Sequence, residues 1–475
     1  MNTSFAKTKI LATLGPATDS REKLEAIIDA GCDAFRLNFS HGSYDYFEKI
    51  FHLINDICVQ RSSPIPILID LQGPKIRIGE LCQPEIKIES GNLLELTTEK
   101  VIGTNEKVYT SYNELPKDAE IGEIILIDDG LIRLEVTEKK TDSIICRIIE
   151  GGILKPKKGM NLPGMKLSTP SITEKDIENL TFALKYRVDF IALSFVRSAD
   201  DIKLLRSWLK GKGFDKPIIA KIEKPEAMEN FESILAAADG IMVARGDLGV
   251  ELAPQLVPVF QKRIIKKCNA VGKLVITATQ MLESMTHNPV PTRAEASDIA
   301  NAVWDGTDVV MLSGETSVGN YPVEAVKIMN DILLTTEAQT SFKQDIKFEI
   351  PKDLTDNLFD SMAHAHKNIS EQIGAAAIVI FTHLGRKAIG TAKFRPGADI
   401  YAFSDSFNTC NALNLYWGIR PLYLEDIDNE DEAVQNSISL LLEKNYVQRG
   451  DLLMFAAGRP YLDKGRRSWM RFAIV

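Results

Sequence analysis

Lys221 and Glu223 stand two residues apart in the apolar segment KPIIAKIE at 216–223. In a strand that spacing sends both side chains to one side, so an ammonium and a carboxylate share a surface otherwise built from Ile and Ala. The next apolar run, GIMVARG, leads directly into Asp247. Two readings of this trio stay open. It is a structural ion-pair network, costly to desolvate and of little net stability. Or it is a divalent-metal site, where two carboxylates leave water and substrate oxygens to complete the shell that Mg2+ prefers. Arg36 offers a planar fork for phosphate or carboxylate. Gly246 lets the backbone approach an anion closely. Arg77, Lys175 and Lys221 could add converging cations, although each charge taken singly reads as a solvated surface group.

These residues belong to a repeated pattern. Eight runs rich in Val, Ile and Leu, at 7–15, 34–40, 65–71, 188–195, 216–223, 240–246, 273–280 and 308–314, alternate with amphipathic stretches. Nearly continuous apolar strands imply burial on both faces, hence a parallel sheet covered by helices. The first helical stretch, SREKLEAIIDAG, has Asp19 or Ser20 to cap it and Gly31 to close it. Eight such units predict a (β/α)8 barrel, whose chemistry collects at the C-terminal ends of its strands. The runs end in polar residues there: Asn38, Ser40 and His41, then Asp70, Ser194, Thr277 with Thr279, and Ser313-Gly314-Glu315.

About 115 residues separate the third and fourth runs, far more than a crossover needs. Short alternating segments such as EIKIES, NLLELT and LIRLEVT fill this interval, which predicts a small all-β domain. Pro74, Pro163 and Pro170 mark its hinges, and its point of departure sets it over the C-terminal face of the barrel. After a polar link near 341–353, an α/β pattern resumes. The predicted class is therefore α/β: barrel segments at 1–71 and 168–345, an inserted β-barrel-like cap at 72–167, and a C-terminal α/β domain at 346–475. No internal repeat beyond the βα period is evident.

The composition narrows the partners. Lysine plus arginine total 56 against 65 acidic residues, a balance of −9, which speaks against nucleic acid or an anionic membrane held by bulk charge. The start of the chain has no apolar core for a signal peptide, and no apolar run reaches the roughly 18 residues of a membrane span. Six cysteines are scattered without a CxxC, so they read as reduced thiols of a cytoplasmic protein. His364 and His366 lack metal-ligand spacing.

The segments TKILATLGPAT, FRLNFSHG, AKIEKPEAMENF, DGIMVARGDLGVE, PTRAEASDIANAVWDG and MLSGETSVGNYPVEAV resemble the pyruvate kinase family. With their intervening matches they follow the order of the whole barrel, roughly two-thirds of the chain. The resemblance implies phosphoryl transfer from phosphoenolpyruvate to ADP, giving pyruvate and ATP through an enolate. It implies that Glu223 and Asp247 hold Mg2+, with Mn2+ as an alternative, and that a second Mg2+ arrives with the nucleotide. Lys221 would stabilise the phosphoryl group in flight and the enolate. Arg36, Gly246, Asp247, Ser194 and Thr279 would line the phosphoenolpyruvate site, with Thr279 a candidate for the proton relay. Asn38, His41, Arg77 and Lys175 would serve the nucleotide. A cytoplasmic homotetramer is implied as well.

Two departures from the family pattern matter. A monovalent-cation position matches Asn38, Ser40, Asp70 and the Leu71 carbonyl, but Lys75 replaces the neighbouring glutamate. That resembles the K+-independent branch, with the Lys75 ammonium in place of K+. In the C-terminal domain, Thr382, Gly385, Arg386 and Lys387 open a helix after a strand and form a candidate site for a phosphorylated effector. Leu384 and Lys387 replace positions usually held by Ser or Thr, and Lys464-Gly465-Arg466-Arg467 stands where a Gly-Thr-Asn loop is common. That puts fructose 1,6-bisphosphate in doubt. The competing readings are a catalytically silent regulatory or binding protein on this scaffold, and another phosphoenolpyruvate- or oxoacid-using barrel enzyme.

Overall fold

A computed structural model describes residues 6–165, 167–339, 348–349, 354–427, 429–458 and 468–475. The eight apolar runs form Lys9–Thr13, Ala34–Asn38, Ile67–Asp70, Phe190–Leu193, Ile218–Ile222, Gly240–Ala244, Leu274–Ala278 and Val309–Leu312. They close into a parallel barrel in which every strand pairs with its neighbours in chain order. Burial on both faces explains their composition. Leu11, Phe190, Ile219, Met242 and Met311 fill the inside of the barrel. The alternate residues, such as Ile10, Ile191 and Val243, pack outward against the helices. Ser20 caps the first helix by accepting the Lys23 N–H, as its sequence predicts.

The inserted segment folds as a six-stranded sheet with a two-stranded one beside it, around its own apolar core. The IRIG run forms only isolated bridges, through Arg77 and Ile78. Arg197 holds the returning chain at the barrel rim, donating to the carbonyls of Leu167 at 2.7 Å and Thr169 at 2.9 Å. The C-terminal domain is a five-stranded sheet, parallel except for its last strand, Ser468–Ile474. It docks under the opposite end of the barrel. Its Leu415 joins the apolar cluster inside the barrel, and Arg395 donates to the Asp308 carboxylate at 2.5 Å.

That lower end carries a repeat absent from the sequence-based expectation. Asp33, Asp189, Asp239 and Asp308 directly precede the second, fourth, sixth and eighth barrel strands. Each accepts a backbone N–H from the strand before it in the chain: Ile10, Ile67, Ile218 and Val275, all at 2.8 Å. The barrel thus has a two-strand period superimposed on the βα period. Burial pushes the Asp189 carboxyl above its ordinary range, with Arg187 opposing the shift.

A buried N–H left without a partner costs about 1–3 kcal/mol. Asp189→Ala is accordingly expected to lower unfolding stability by about 1–3 kcal/mol, while Asp189→Asn, which keeps an oxygen acceptor, loses less than half as much. Denaturant midpoints of the two variants check this; equal losses would contradict it.

Candidate active site

At the C-terminal end of the barrel, five charged side chains share one small region. Lys221 lies 2.8 Å from Glu223 and 3.3 Å from Asp70, and donates to Ser194 Oγ at 2.7 Å. Asp70 also pairs with Arg36 at 2.8 Å, and Arg36 reaches Thr13 Oγ1 at 2.9 Å. These residues come from adjacent strands, which is why a spacing of two in one strand suffices to aim Lys221 and Glu223 together. Ser194 Oγ donates to the Leu71 carbonyl at 2.7 Å. The Asp70 carboxylate and the Leu71 carbonyl of the monovalent-cation position are therefore already engaged by this network. The Asn38 side chain accepts the Ser40 N–H at 3.1 Å.

The electrostatics follow from burial. Removing Lys221 from water works against its charge, but Asp70 and Glu223 overcome that penalty and hold its proton more tightly than usual. Burial likewise pushes Asp70 up, and Lys221 with Arg36 reverses this, leaving its carboxyl below the ordinary range. Glu223 goes the other way. Burial raises its carboxyl, Lys221 opposes the rise, and the nearby charge of Asp247 adds to it. Asp70, Glu223 and Asp247 thus outnumber Lys221 and Arg36, the other four charges all being felt at the Lys221 ammonium. Two facing carboxylates with an unmet need for positive charge suit a hard divalent cation, and an all-oxygen donor set suits Mg2+ or Mn2+. Among the described residues no trio of metal-ligating side chains converges, so water and substrate would supply the other ligands.

Thr279 follows the seventh strand in a left-handed conformation, φ 67°, and Gln280 shares it at φ 53°. The Thr279 Oγ1 accepts the Gly246 N–H at 2.8 Å and donates to the Ala278 carbonyl at 2.6 Å. Thr277, two residues earlier, bonds the buried Thr307 hydroxyl at 2.9 Å and takes no part in the cluster. On the cap side, burial and the charges of Lys75, Arg77 and Arg36 together keep the His41 imidazole below its usual range. Three cations therefore surround His41, an arrangement made for anionic oxygens. Lys75 is exposed and lines the cleft between cap and barrel, including a cavity of about 360 Å3 bounded by Ser111, Asn113, Thr169 and Thr173.

Lys175 sits exposed in the first turn of its helix, bonded to Glu178 at 2.8 Å and Tyr44 at 3.2 Å. One expected residue falls elsewhere. In the C-terminal domain, Thr382 Oγ1 accepts the Gly385 N–H at 3.0 Å, and the Arg386 guanidinium lies over the Phe359 ring. Lys387 is buried with its ammonium on the Ala457 carbonyl at 2.6 Å, and burial draws its pKa down to about 8. It points inward and is unavailable to a ligand at the start of that helix. Lys464 to Arg467 lie outside the described residues.

Sequence reasoning missed a bridge beside the cluster. Glu251, at the end of the helix that begins Arg245-Gly246-Asp247, accepts from Lys224 at 3.0 Å and from Asn161 of the cap at 3.0 Å. All three line the cleft with Asp247. The adjacent lysine in KIEK was its only signal. Removing one partner of a buried pair costs about 3–5 kcal/mol, whereas replacing both by apolar groups is near neutral. Lys224→Met is thus expected to lose about that much stability, and Lys224→Met with Glu251→Met to regain most of it. Chemical denaturation of both variants decides, and a double variant no better than the single would refute the pairing.

With this geometry in place, comparisons with known proteins become informative. The family model described as pyruvate kinase, barrel domain, matches residues 5–326, and that described as pyruvate kinase, alpha/beta domain, matches residues 360–472. The chain is 42% identical to a pyruvate kinase of Staphylococcus epidermidis over 474 residues, covering 99% of this chain and 80% of that protein. It is 42% identical over 476 residues to one from Geobacillus stearothermophilus, with the same coverage, 99% and 80%. A crystal structure of a pyruvate kinase from Cryptosporidium parvum superposes with a TM-score of 0.91 at 35% identity, covering 99% of this chain and 96% of that one.

Proposed function

We propose how this chain, which belongs to the pyruvate kinase family, carries out the family's reaction at the cluster around Lys221. The reaction is phosphoryl transfer from phosphoenolpyruvate to ADP, giving pyruvate and ATP. Such transfer depends on positioning and charge neutralisation more than on covalent help. The observation that carries the assignment is the Lys221 ammonium, buried between Asp70 and Glu223 with its charge secured.

Bound at Glu223 and Asp247, Mg2+ supplies charge neutralisation for the phosphoryl oxygens, a second ion coming with the nucleotide. Arg36, oriented by Asp70 and Thr13, binds the phosphoryl group. Lys221 acts as a fixed charge for the phosphoryl group in flight and the enolate oxygen. Its acidic neighbours hold its proton too tightly for it to serve as the acid. Gly246, Asp247, Ser194 and Thr279 complete the phosphoenolpyruvate site, and the Thr279 hydroxyl relays a proton to the enolate carbon. Asn38, His41, Arg77 and Lys175 serve the nucleotide phosphates, and the cap excludes water that would otherwise take the phosphoryl group. We keep the cap at 72–167, between barrel segments 1–71 and 168–345, with the effector and subunit-contact domain at 346–475. Thr382, Gly385 and Arg386 remain the phosphorylated-effector candidates there, without Lys387.

Two finer points complete the reading. Lys75 supplies the charge that K+ gives elsewhere in the family; its place in the cleft, its field at His41 and its lack of an ion-pair partner among the described residues support this. The protein assembles as a homotetramer in the cytoplasm. Strand Ser468–Ile474 supports the assembly, since among the described residues it is the outer edge of its sheet, with Phe472 and Ile474 exposed, a template for pairing with a second copy. No described helix is long and apolar enough to cross a membrane.

A lactate dehydrogenase-coupled assay with phosphoenolpyruvate, ADP and Mg2+ tests the reaction; no pyruvate formation would favour the silent scaffold. Lys221→Met should cut turnover at least ~10²-fold, the scale of one preorganised charge, with Mg2+ binding retained. With tetramethylammonium as the only monovalent cation, activity should persist. Stimulation by KCl beyond about tenfold, or 1.4 kcal/mol of barrier, would reject the Lys75 assignment. Phe472→Glu should convert tetramer to smaller species in sedimentation velocity, and an unchanged tetramer would remove this strand from the interface.

A further inference from the structure

Arg245 is the most heavily bonded buried side chain near the cluster, and the reaction as derived gives it no role. It opens the helix that carries Gly246 and Asp247 and is 8% exposed. Its guanidinium donates to three successive carbonyls: Ala278 at 3.3 Å, Thr279 at 2.6 Å and Gln280 at 3.1 Å. Its remaining nitrogen pairs with Asp298 at 2.5 Å. The three carbonyls belong to the turn in which Thr279 and Gln280 are both left-handed. That conformation is unfavourable for any residue with a Cβ and most so for a β-branched one. Such a turn persists only where its surroundings hold it. A planar fork with five donors can satisfy several carbonyls at once, as a lysine ammonium at one point cannot.

The same turn fixes the Thr279 hydroxyl. Its Oγ1 is clamped from the other side by the Gly246 N–H, and Gly246 is the residue next to Arg245. A Cβ at Gly246 would stand in contact with Thr279 Oγ1, at 3.4 Å, so the two residues are packed together at this point. We infer that Arg245 is a positioning residue for enolate protonation: by clamping the carbonyls of 278–280 it holds the strained turn that sets Thr279 Oγ1 against the substrate. The inference rests on the reading of Thr279 given above. Arg245 touches no substrate. It acts through Thr279, while Asp298 supplies its counter-charge from an outer helix.

Protonation can be read apart from phosphoryl transfer by following exchange of the pyruvate methyl hydrogens with D2O by NMR, in the presence of Mg2+ and ATP. Arg245→Lys should slow this exchange at least tenfold while Mn2+ affinity, followed by electron paramagnetic resonance, and the KM for phosphoenolpyruvate change less than threefold. Thr279→Val should slow it as well, and adding Arg245→Lys to Thr279→Val should produce no further loss. Should Arg245→Lys fold poorly, Arg245→Met with Asp298→Leu removes both charges of the pair together, keeps the packing and should show the same loss of exchange. Wild-type exchange in Thr279→Val would overturn the reading of Thr279, and with it the route through which Arg245 acts. Normal exchange in the Arg245 variants, fully multiplicative losses in the double variant, or Mn2+ affinity falling in step with exchange would each overturn the role of Arg245.

Discussion

The Lys221 ammonium is the constraint on which the site depends. Buried without partners it would lose its proton; between Asp70 and Glu223, at 3.3 and 2.8 Å, it keeps a permanent charge. This arrangement also sets the roles of its neighbours. Asp70 is drawn below the ordinary carboxylate range because two cations, Lys221 and Arg36, share it. Glu223 shares one cation with Asp247 and is left above that range. One side of the ammonium is thus saturated and the other side short of positive charge. A fully balanced cluster would resist a divalent cation. A cluster with one carboxylate in excess invites it, and that excess supports the proposed Mg2+ site at Glu223 and Asp247 over one at Asp70.

Holding like charges together in this way costs stability, and the barrel offsets it elsewhere. The upper rim carries left-handed Phe195, Thr279 and Gln280, together with buried charges in the cluster. The lower rim carries the regular Asp33, Asp189, Asp239 and Asp308 bonds, each satisfying one strand N–H. Asp308 meets Arg395, and the side chain of Leu415 enters the barrel interior. Strain and function therefore sit at one end of the strands, ordered support at the other. This is the division expected when a site must hold uncomfortable conformations on a rigid frame.

Much of this was legible in the sequence, for identifiable reasons. Strand runs were visible because burial on both faces forbids polar interruptions. For the same reason the interruptions that do occur, Lys221, Glu223 and Asp70, stood out as site residues. The cap was visible from alternation over an interval too long for a crossover. Lys387 was misplaced because a lysine next to a helix start reads as a phosphate ligand until its ammonium is found on a buried carbonyl. Arg245 was passed over because its partners are backbone carbonyls, which have no sequence signature. The aspartate repeat was readable as CDAF, VDFI, ADGI and TDVV, but only once strand starts were known could its period be seen.

The balance of charge also needs restating at the scale where it acts. A net −9 spread over 475 residues would repel a polyanionic substrate if the charges acted together. Screening prevents this, since exposed charges farther off than about 8 Å are largely hidden at physiological salt. Inside the cleft the relevant charges are few and near. Burial, with Lys75, Arg77 and Arg36 adding to it, holds the His41 imidazole below its usual range. A fourth positive charge, at His41, would compete with these cations for the same anionic oxygens and add repulsion among them. With its affinity for a proton lowered, His41 is a polar group acted on by three cations. The field that an anionic ligand would meet in this cleft is therefore local, and it is opposite in sign to the protein as a whole.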